Sequence, residues 1–297
     1  MKVLSLFDGI SCGRVALQRA GVPVESYYAS EIKPFAIRCS KENNPDVTHI
    51  GDINEVHFWR GKLYVEETRY HINDIDLLIG GSPCQNFSVA RCSNKKTIDG
   101  LRGEQSALFY EYARILQEIK PRYFLLENVR ITQQADLDEI NSLLGVEPIR
   151  INSNLVSYQN RDRFYWTNIP GVTAPADRGI SFQDYKDSDE EYCDNFIVPR
   201  TPSRERMWGG GVNGECKNVT YSDKVGCLTL KQDRWKNSGL IEYKGFCRYL
   251  TTHELEQAQT LPIGYTKMLT KTQAENVLGD CWTVDVIAHI FKGLQNI

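Results

Sequence analysis

Up to residue 167, short apolar runs alternate with amphipathic stretches, and this alternation limits the possible folds more than any other feature of the chain. Val3–Phe7, Val24–Ser30, Val47–Ile50, Ile75–Ile79, Tyr123–Leu126 and runs near Pro148–Leu155 and Phe164–Thr167 have the length and composition of strands. Between them, Gly13–Ala20, Pro34–Glu42, Gln105–Ile119 and Leu137–Leu144 carry helical patterning, with Pro34 at a helix start where its missing N–H is tolerated. Alternation of this kind predicts an α/β fold, a doubly wound and mostly parallel sheet with helices on both faces and ligands at the carboxyl ends of the strands. The rhythm breaks over 170–247, a stretch rich in Gly, Pro and charge that includes Gly209-Gly210-Gly211. A smaller, irregular domain is expected there, between a main domain at 1–169 and a segment at 248–297 that returns to it. Helical periodicity resumes over Thr252–Leu261 and in Val284, Ile287, Ala288 and Phe291.

The 297 residues are 41% hydrophobic and 25% charged, and the mean hydropathy is -0.42, values of a chain able to bury a full core. No apolar run approaches membrane-spanning length and the chain enters a strand-like segment at Val3, so neither a membrane span nor a signal peptide is expected. The expected location is the cytoplasm. Nine cysteines, an odd number with no Cys-x-x-Cys pair, argue against a disulfide framework and against a clustered metal site. A net charge of -3 does not by itself indicate nucleic acid. Local charge says more. Seven acids against Arg178 and Lys186 make 177–194 read as a solvated loop or hinge. From Arg200 to Arg248, ten bases face five acids, with Trp208, Tyr221 and Trp235 interleaved. That pattern suits a phosphate-tracking surface with aromatic contacts, and equally an ordinary basic surface.

Chemistry-bearing residues collect at the strand ends. Gly80-Gly81-Ser82-Pro83-Cys84-Gln85 follows the run ending at Ile79 and makes Cys84 the best candidate nucleophile, the alternative being a turn with a buried thiol. Phe7-Asp8-Gly9-Ile10-Ser11-Cys12-Gly13 follows the first run, and its glycines let backbone approach a ligand. Glu31 ends the second run, placed to accept hydrogen bonds from ribose hydroxyls, and Gly51-Asp52-Ile53 ends the third. There Asp52 can bond an adenine amino group and Ile53 can pack on the ring. The first loop is not Gly-x-Gly-x-x-Gly, which favours an adenosyl ligand without pyrophosphate over a dinucleotide.

Together with Glu127-Asn128-Val129, Gln159-Asn160-Arg161-Asp162-Arg163, Arg248-Tyr249-Leu250-Thr251 with Glu254, and Leu278-Gly279-Asp280-Cys281-Trp282-Thr283-Val284, these segments resemble the cytosine-5 DNA methyltransferases in kind and order. Within that family Ser-Leu-Phe-Asp-Gly-Ile, Ala-Ser-Glu and the Trp-bearing C-terminal block are most similar to the catalytic domains of the vertebrate de novo enzymes. The resemblance implies a Rossmann-like sheet that binds S-adenosyl-L-methionine, a target-recognition region at 170–247, and double-stranded DNA as partner; restriction-modification is one role it implies. It assigns Cys84 as the thiolate that adds to cytosine C6, and Glu127 as an acid kept protonated by burial and bonded to N3. Arg163, with Arg161, would bind the base's O2. Phe7, Gly9, Ile10, Glu31, Ile32, Asp52, Ile53, Pro83, Leu108, Cys281 and Trp282 would contact the cofactor, and Asn86–Arg102 would form a basic lid over a flipped nucleotide. One departure is Gly279-Asp280, where many members have Gly-Asn. Two other readings stand beside this one. They are an RNA methyltransferase of the same fold, whose tRNA-directed members carry a Cys-Phe-Thr motif not found here, and a non-catalytic DNA-binding homologue.

Overall fold

The apolar runs pair into a seven-stranded sheet in the computed structural model of the chain, which describes residues 1–70, 72, 74–83, 101, 107–206, 217–233 and 237–295. Two compact units are present, one of 1–151, 162–174 and 287–297 and one of 152–161 and 175–286. The first unit contains, in chain order, β1 (Lys2–Leu6), α1 (Cys12–Arg19), β2 (Ser26–Ser30), α2 (Pro34–Asn43), β3 (Val47–Gly51), β4 (Val56–Trp59), β5 (Lys62–Val65) and β6 (Thr68–Tyr70). It continues with β7 (Leu77–Gly81), α3 (Ala107–Ile119), β8 (Tyr123–Val129), α4 (Gln134–Leu144), β9 (Ile149–Asn152) and β10 (Asp162–Thr167). The main sheet has the order β3-β2-β1-β7-β8-β10-β9, with β3 through β8 parallel and β10 antiparallel to β8.

Strand order reverses between β2-β1 and β7-β8, so the loops after β1 and β7 flank a topological switch point, where open α/β sheets bind ligands. The core below it joins Leu4, Leu6, Leu78, Phe109, Tyr112, Leu126 and Trp166, all essentially removed from water. Each such aliphatic or aromatic side chain contributes about 1.5–3 kcal/mol of burial, enough to hold the strand ends rigid beneath the loops.

The sequence gives no expectation of the antiparallel meander β4-β5-β6. Its local signals are nonetheless present. Val56, Leu63 and Val65 are buried at alternating positions, and Trp59 pairs with Lys62 across Arg60-Gly61. Both turn residues have positive φ, 49° and 70°, the two-residue geometry that matches strand twist. The meander is anchored to α3 by Arg114 Nη2 donating to Val56 O at 2.8 Å and Phe58 N donating to Glu118 Oε2 at 3.0 Å.

The second unit holds α5 (Glu190–Asp194), β11 (Ile197–Val198), α6 (Pro202–Glu205), β12 (Ile241–Tyr243), β13 (Phe246–Arg248), α7 (Thr252–Ala258) and α8 (Lys271–Asp280), and α9 (Val284–Phe291) begins in it. Its three-stranded sheet has the order β11-β13-β12. A reciprocal capping box of Thr251 and Glu254 starts α7, and Glu254 also meets the buried Arg248 guanidinium at 2.8 Å. α8 is missed by its sequence pattern because only Ala274, Val277, Leu278 and Gly279 of it are buried, too few to show a stripe. The acid-rich 177–194 is pinned rather than hinge-like. Asp187 N donates to Glu254 Oε1, Asp189 caps α5, and Asp194 pairs with Lys244 at 2.8 Å. Among the described residues no helix is long and apolar enough to cross a membrane, and no cluster of His, Cys, Asp or Glu is arranged to hold a metal.

Candidate active site

Cys84 lies outside the described residues, as does the expected lid 86–102 apart from Leu101. The strand that leads to Cys84 is described up to Pro83. Gly81 at the end of β7 pairs with Glu127 of β8, so Glu127 stands beside the end of the strand that precedes Cys84 in the chain. Position 80 is tightly packed, since a Cβ there would lie 3.0 Å from the Tyr112 ring and 3.1 Å from Leu6 O. Ser82 is held further by Asn128, which the sequence leaves without a role. Its Nδ2 donates to Ser82 Oγ at 2.9 Å while its Oδ1 accepts from Val129 N at 2.7 Å, and both side chains are buried. Two strands thus share one rigid corner.

Glu127 is 7% exposed and forms an ion pair with Arg163, Nε to Oε1 2.9 Å. The pairing follows from register. In the β8–β10 ladder Glu127 faces Tyr165 and Val129 faces Arg163, which makes Glu127 and Arg163 diagonal neighbours on one face. Arg163 Nη1 also donates to the carbonyl of Asp162 at 2.9 Å, which restrains the guanidinium. A carboxyl group and a planar array of donors are therefore presented together at the strand ends.

The loop after β1 is built from left-handed backbone: Phe7 at φ 56°, Gly9 at 61° and Ser11 at 62°. For Phe7 and Ser11 this conformation costs of order 1–3 kcal/mol each, strain typical of ligand loops. Hydrogen bonds hold it. Gly9 N donates to Glu31 Oε2 at 2.8 Å, Asp8 N to Ser30 O at 3.0 Å, and Ser11 N to Asp8 O at 3.2 Å. The Asp8 carboxylate accepts from Ser11 Oγ at 2.5 Å and Tyr27 OH at 2.7 Å, yet burial dominates and raises its pKa above the usual carboxylate value. Glu31 Oε1 accepts from Ile32 N and Lys33 N. Of the roughly four lone-pair sites of a carboxylate, these bonds leave capacity for a ligand hydroxyl.

The remaining expected cofactor residues fall into three settings. Ile32 is 65% exposed beside Glu31 and offers a free apolar face. Asp52 caps the short turn Ile53–Glu55 through Asn54 N, at 3.0 Å. Ile10 and Ile53 are buried, Ile53 within the core, while Phe7 and Leu108 are half-buried against it and Pro83 is half-exposed. Ile53, expected to pack on an adenine ring, is 4% exposed and enclosed by core neighbours. The first-unit groups fit an adenosyl ligand: an acid with spare acceptor capacity, an exposed apolar side chain, and open space where Gly9 would carry a Cβ. Below them Tyr112, i+4 from Leu108 on α3, is fully buried, its hydroxyl has no hydrogen-bond partner among the described residues, and burial holds its pKa well above 10.

Arg161, expected at a base's O2, lies in the second unit, 5% exposed, and its Nη1 donates to Gly279 O at 3.1 Å and Leu228 O at 3.4 Å. That one nitrogen also lies 3.6 Å from Cys227 Sγ. Cys281 and Trp282 are also in the second unit, Cys281 buried with its Sγ donating to Leu278 O and Trp282 half-buried.

The basic stretch 200–248 is less of a phosphate surface than its composition implies. Arg248 is buried against Glu254, Arg204 binds Asp233, Lys224 donates to the carbonyls of Asn154 and Ser157, Arg200 pairs with Glu205 and Lys244 with Asp194. Lys217 and Lys231 are exposed, as is Tyr221. Trp208, Arg234, Trp235 and Lys236 lie outside the described residues.

Comparison with known proteins adds the following. Residues 1–144 match the family model described as C-5 cytosine-specific DNA methylase. The type II methyltransferase M1.ScrFI of Lactococcus lactis subsp. cremoris is 31% identical over 326 aligned positions, covering 100% of this chain and 78% of that protein. The orphan methyltransferase M.Rho11sI of Bacillus phage rho11s is 36% identical over 177 residues, 56% of this chain, and the match spans only 32% of the phage enzyme's length. Among solved structures, the Dnmt2 methyltransferase of S. pombe superposes with a TM-score of 0.71 at 17% identity, covering 100% of this chain and 98% of that one. At that identity the likeness shows a shared fold.

Proposed function

The chain belongs to the C-5 cytosine-specific DNA methylase family, and on that footing we propose that it is a DNA (cytosine-5)-methyltransferase acting on a flipped cytosine through a covalent Cys84–C6 bond. The observation that carries this reading is the Glu127–Arg163 ion pair in register with the strand end leading to Cys84. Bound S-adenosylmethionine supplies an electrophilic methyl group on a sulfonium. Gly9, Glu31, Ile32 and Asp52 would hold its adenosyl part.

Cytosine C5 is a weak nucleophile until the ring is activated. The Cys84 thiolate adds to C6, a new Sγ–C6 bond forms, and the electron pair of the C5–C6 double bond becomes available at C5. Glu127 in its acid form passes a proton to N3, which neutralises the charge that develops on the ring and returns when the adduct breaks down, while Arg163 orients Glu127 and offers donors to O2. Once C5 is methylated, its proton departs to water and the Sγ–C6 bond breaks, its electron pair leaving on sulfur, which restores the aromatic ring and the thiolate. A stacked base cannot present C6, so the nucleotide must leave the duplex. We assign target recognition to 170–247, with Lys217, Lys231 and Tyr221 as its exposed contacts.

The test is methyl transfer from labelled S-adenosylmethionine to unmethylated duplex DNA and, in parallel, to tRNA, with bisulfite sequencing of DNA from expressing cells. Label on DNA and C-to-C5-methyl conversion in one sequence context support the proposal. Label on tRNA alone overturns it.

A further inference from the structure

The loop after β1 is tied to α2 and β3 by a line of polar side chains. Ser11 occupies the N-cap of α1 in left-handed backbone, φ 62° and ψ 38°, yet its hydroxyl caps no amide of that helix. It turns instead to Asp8 Oδ2 at 2.5 Å and to Ser40 Oγ at 2.5 Å. Ser40, on α2, lies 3.0 Å from Nε2 of His49 on β3. Ser11 and Ser40 are fully buried, and His49 is half-buried, its Nδ1 enclosed and without a hydrogen-bond partner among the described residues. Proton count fixes the direction of the line. A hydroxyl has one proton, so while the Asp8 carboxylate accepts from Ser11, Ser40 must donate to Ser11 and His49 Nε2 must donate to Ser40. That makes the neutral imidazole the Nε2–H tautomer with a bare Nδ1, in keeping with the missing partner there. All four residues belong to the first unit.

We propose that Asp8, Ser11, Ser40 and His49 form one reversible proton chain, in which Ser40 and His49 are positioning residues that hold the loop after β1 in the same left-handed form whether Asp8 is charged or neutral. When a proton from water binds His49 Nδ1, Nε2 passes its own proton to Ser40 Oγ, Ser40 passes one to Ser11 Oγ, and Ser11 passes one to Asp8 Oδ2. His49 ends neutral as the Nδ1–H tautomer, each hydroxyl has exchanged one O–H bond for another, and the charge lost is that of Asp8. Every hydrogen bond of the line is remade in the opposite sense. The surroundings bring the two ends together in proton affinity. Burial, then Lys41, lowers the His49 pKa, with Glu31 opposing; burial raises that of Asp8 against the bonds from Ser11, Ser5 and Tyr27, and Glu31 adds to the rise. Tyr27, whose own pKa burial and Asp8 hold well above 10, stays a donor to Asp8 in both states. The loop so held sits at the topological switch point, where a change of shape with pH would alter the fit of any ligand.

The test is nuclear magnetic resonance on the full chain without ligand, with isotope labels in the histidine rings and the aspartate carboxyls. Loss of a signal in His49→Gln assigns His49 among the five histidines, and loss of a signal in Asp8→Asn assigns Asp8. In mildly alkaline solution His49 should be the Nε2–H tautomer. As pH falls, Asp8 should take up a proton and His49 should switch to Nδ1–H at one shared midpoint, with the ring still neutral. Ser40→Ala should uncouple the ends, so that His49 no longer changes tautomer as Asp8 titrates, and amide hydrogen exchange over 9–13 should quicken about fivefold, the worth of one buried hydrogen bond. Ser11→Gly removes the middle hydroxyl while suiting left-handed backbone; it should uncouple the ends in the same way and decides the matter if Ser40→Ala does not fold. An Nδ1–H tautomer in alkaline solution, separate midpoints in the unaltered protein, or a shared midpoint that survives Ser40→Ala overturns the proposal. Faster exchange in Ser40→Ala with the tautomer switch intact would leave Ser40 a packing residue and overturns it as well.

Discussion

Breaking the Glu127–Arg163 pair should cost stability and activity by separable amounts. At 2.9 Å the two charges attract by roughly 6 kcal/mol in a medium of effective dielectric about 20. Their side chains are only 12% and 9% exposed, so desolvation offsets part of that gain. Removing one partner strands the other, at a cost of about 3–5 kcal/mol for a fully buried pair and about 2–3 kcal/mol expected at this exposure. Glu127 cannot move to find water, because its backbone is fixed between Gly81 and Tyr165. Arg163→Ala and Glu127→Ala should therefore each destabilise by about 2–3 kcal/mol, and the double variant by much less than their sum, leaving a coupling of about 2 kcal/mol. Urea unfolding followed by circular dichroism, extrapolated linearly, measures all four corners of the cycle. Glu127→Gln, which keeps shape and burial, should lose on the order of 100-fold or more in turnover. A coupling below about 0.5 kcal/mol, or near-normal turnover by Glu127→Gln, would refute the reasoning.

Tyr112→Phe removes a buried hydroxyl with no partner among the described residues and should leave stability unchanged or raise it by about 1 kcal/mol, read as a Tm higher by about 2–4 °C; a clear loss of stability would mean the hydroxyl is satisfied. Asp8 has a folded pKa raised by burial, so its charged form costs stability above that pKa and the cost disappears as pH falls toward the unfolded value of about 3.9. Accordingly Asp8→Asn should gain stability relative to the unaltered protein as pH rises from about 4 to 7, and urea midpoints at several pH values would expose the opposite trend. Glu31→Ala removes the acceptor that holds Gly9, Ile32 and Lys33 and should weaken cofactor binding at least tenfold in calorimetry; unchanged binding would remove Glu31 from the cofactor site.

Much of the first unit was legible because its determinants are local. Apolar runs of strand length, Pro34 at a helix start and Gly80-Gly81 before Pro83 are read within a few residues, and β1, β2, β3, β7, β8 and β10 follow from them to within a residue or a few at each end. The meander at Val56–Tyr70 carries equally local signals in its alternation and its Arg60-Gly61 turn, but its strands are short and lie between two motif blocks. Long-range hydrogen bonding was not legible. Nothing in the spelling of 159–163 shows that Arg163 reaches Glu127 across a ladder while Arg161 reaches Gly279, since both are arginines two positions apart. Composition misled over 200–248 for the same reason: a count of bases cannot tell Arg248, buried on Glu254, from Lys231, exposed to solvent.

The central claim is that Cys84 attacks C6 of a cytosine in DNA. Duplex DNA carrying 5-fluorocytosine at the methylated context, incubated with the protein and S-adenosylmethionine, tests it most directly, because fluorine at C5 blocks the release step. A denaturation-resistant protein–DNA adduct whose mass maps to the peptide bearing Cys84, and which Cys84→Ser abolishes together with methyl transfer, is the expected result. Methyl transfer at a normal rate by Cys84→Ser, or an adduct mapped to another residue, would contradict it.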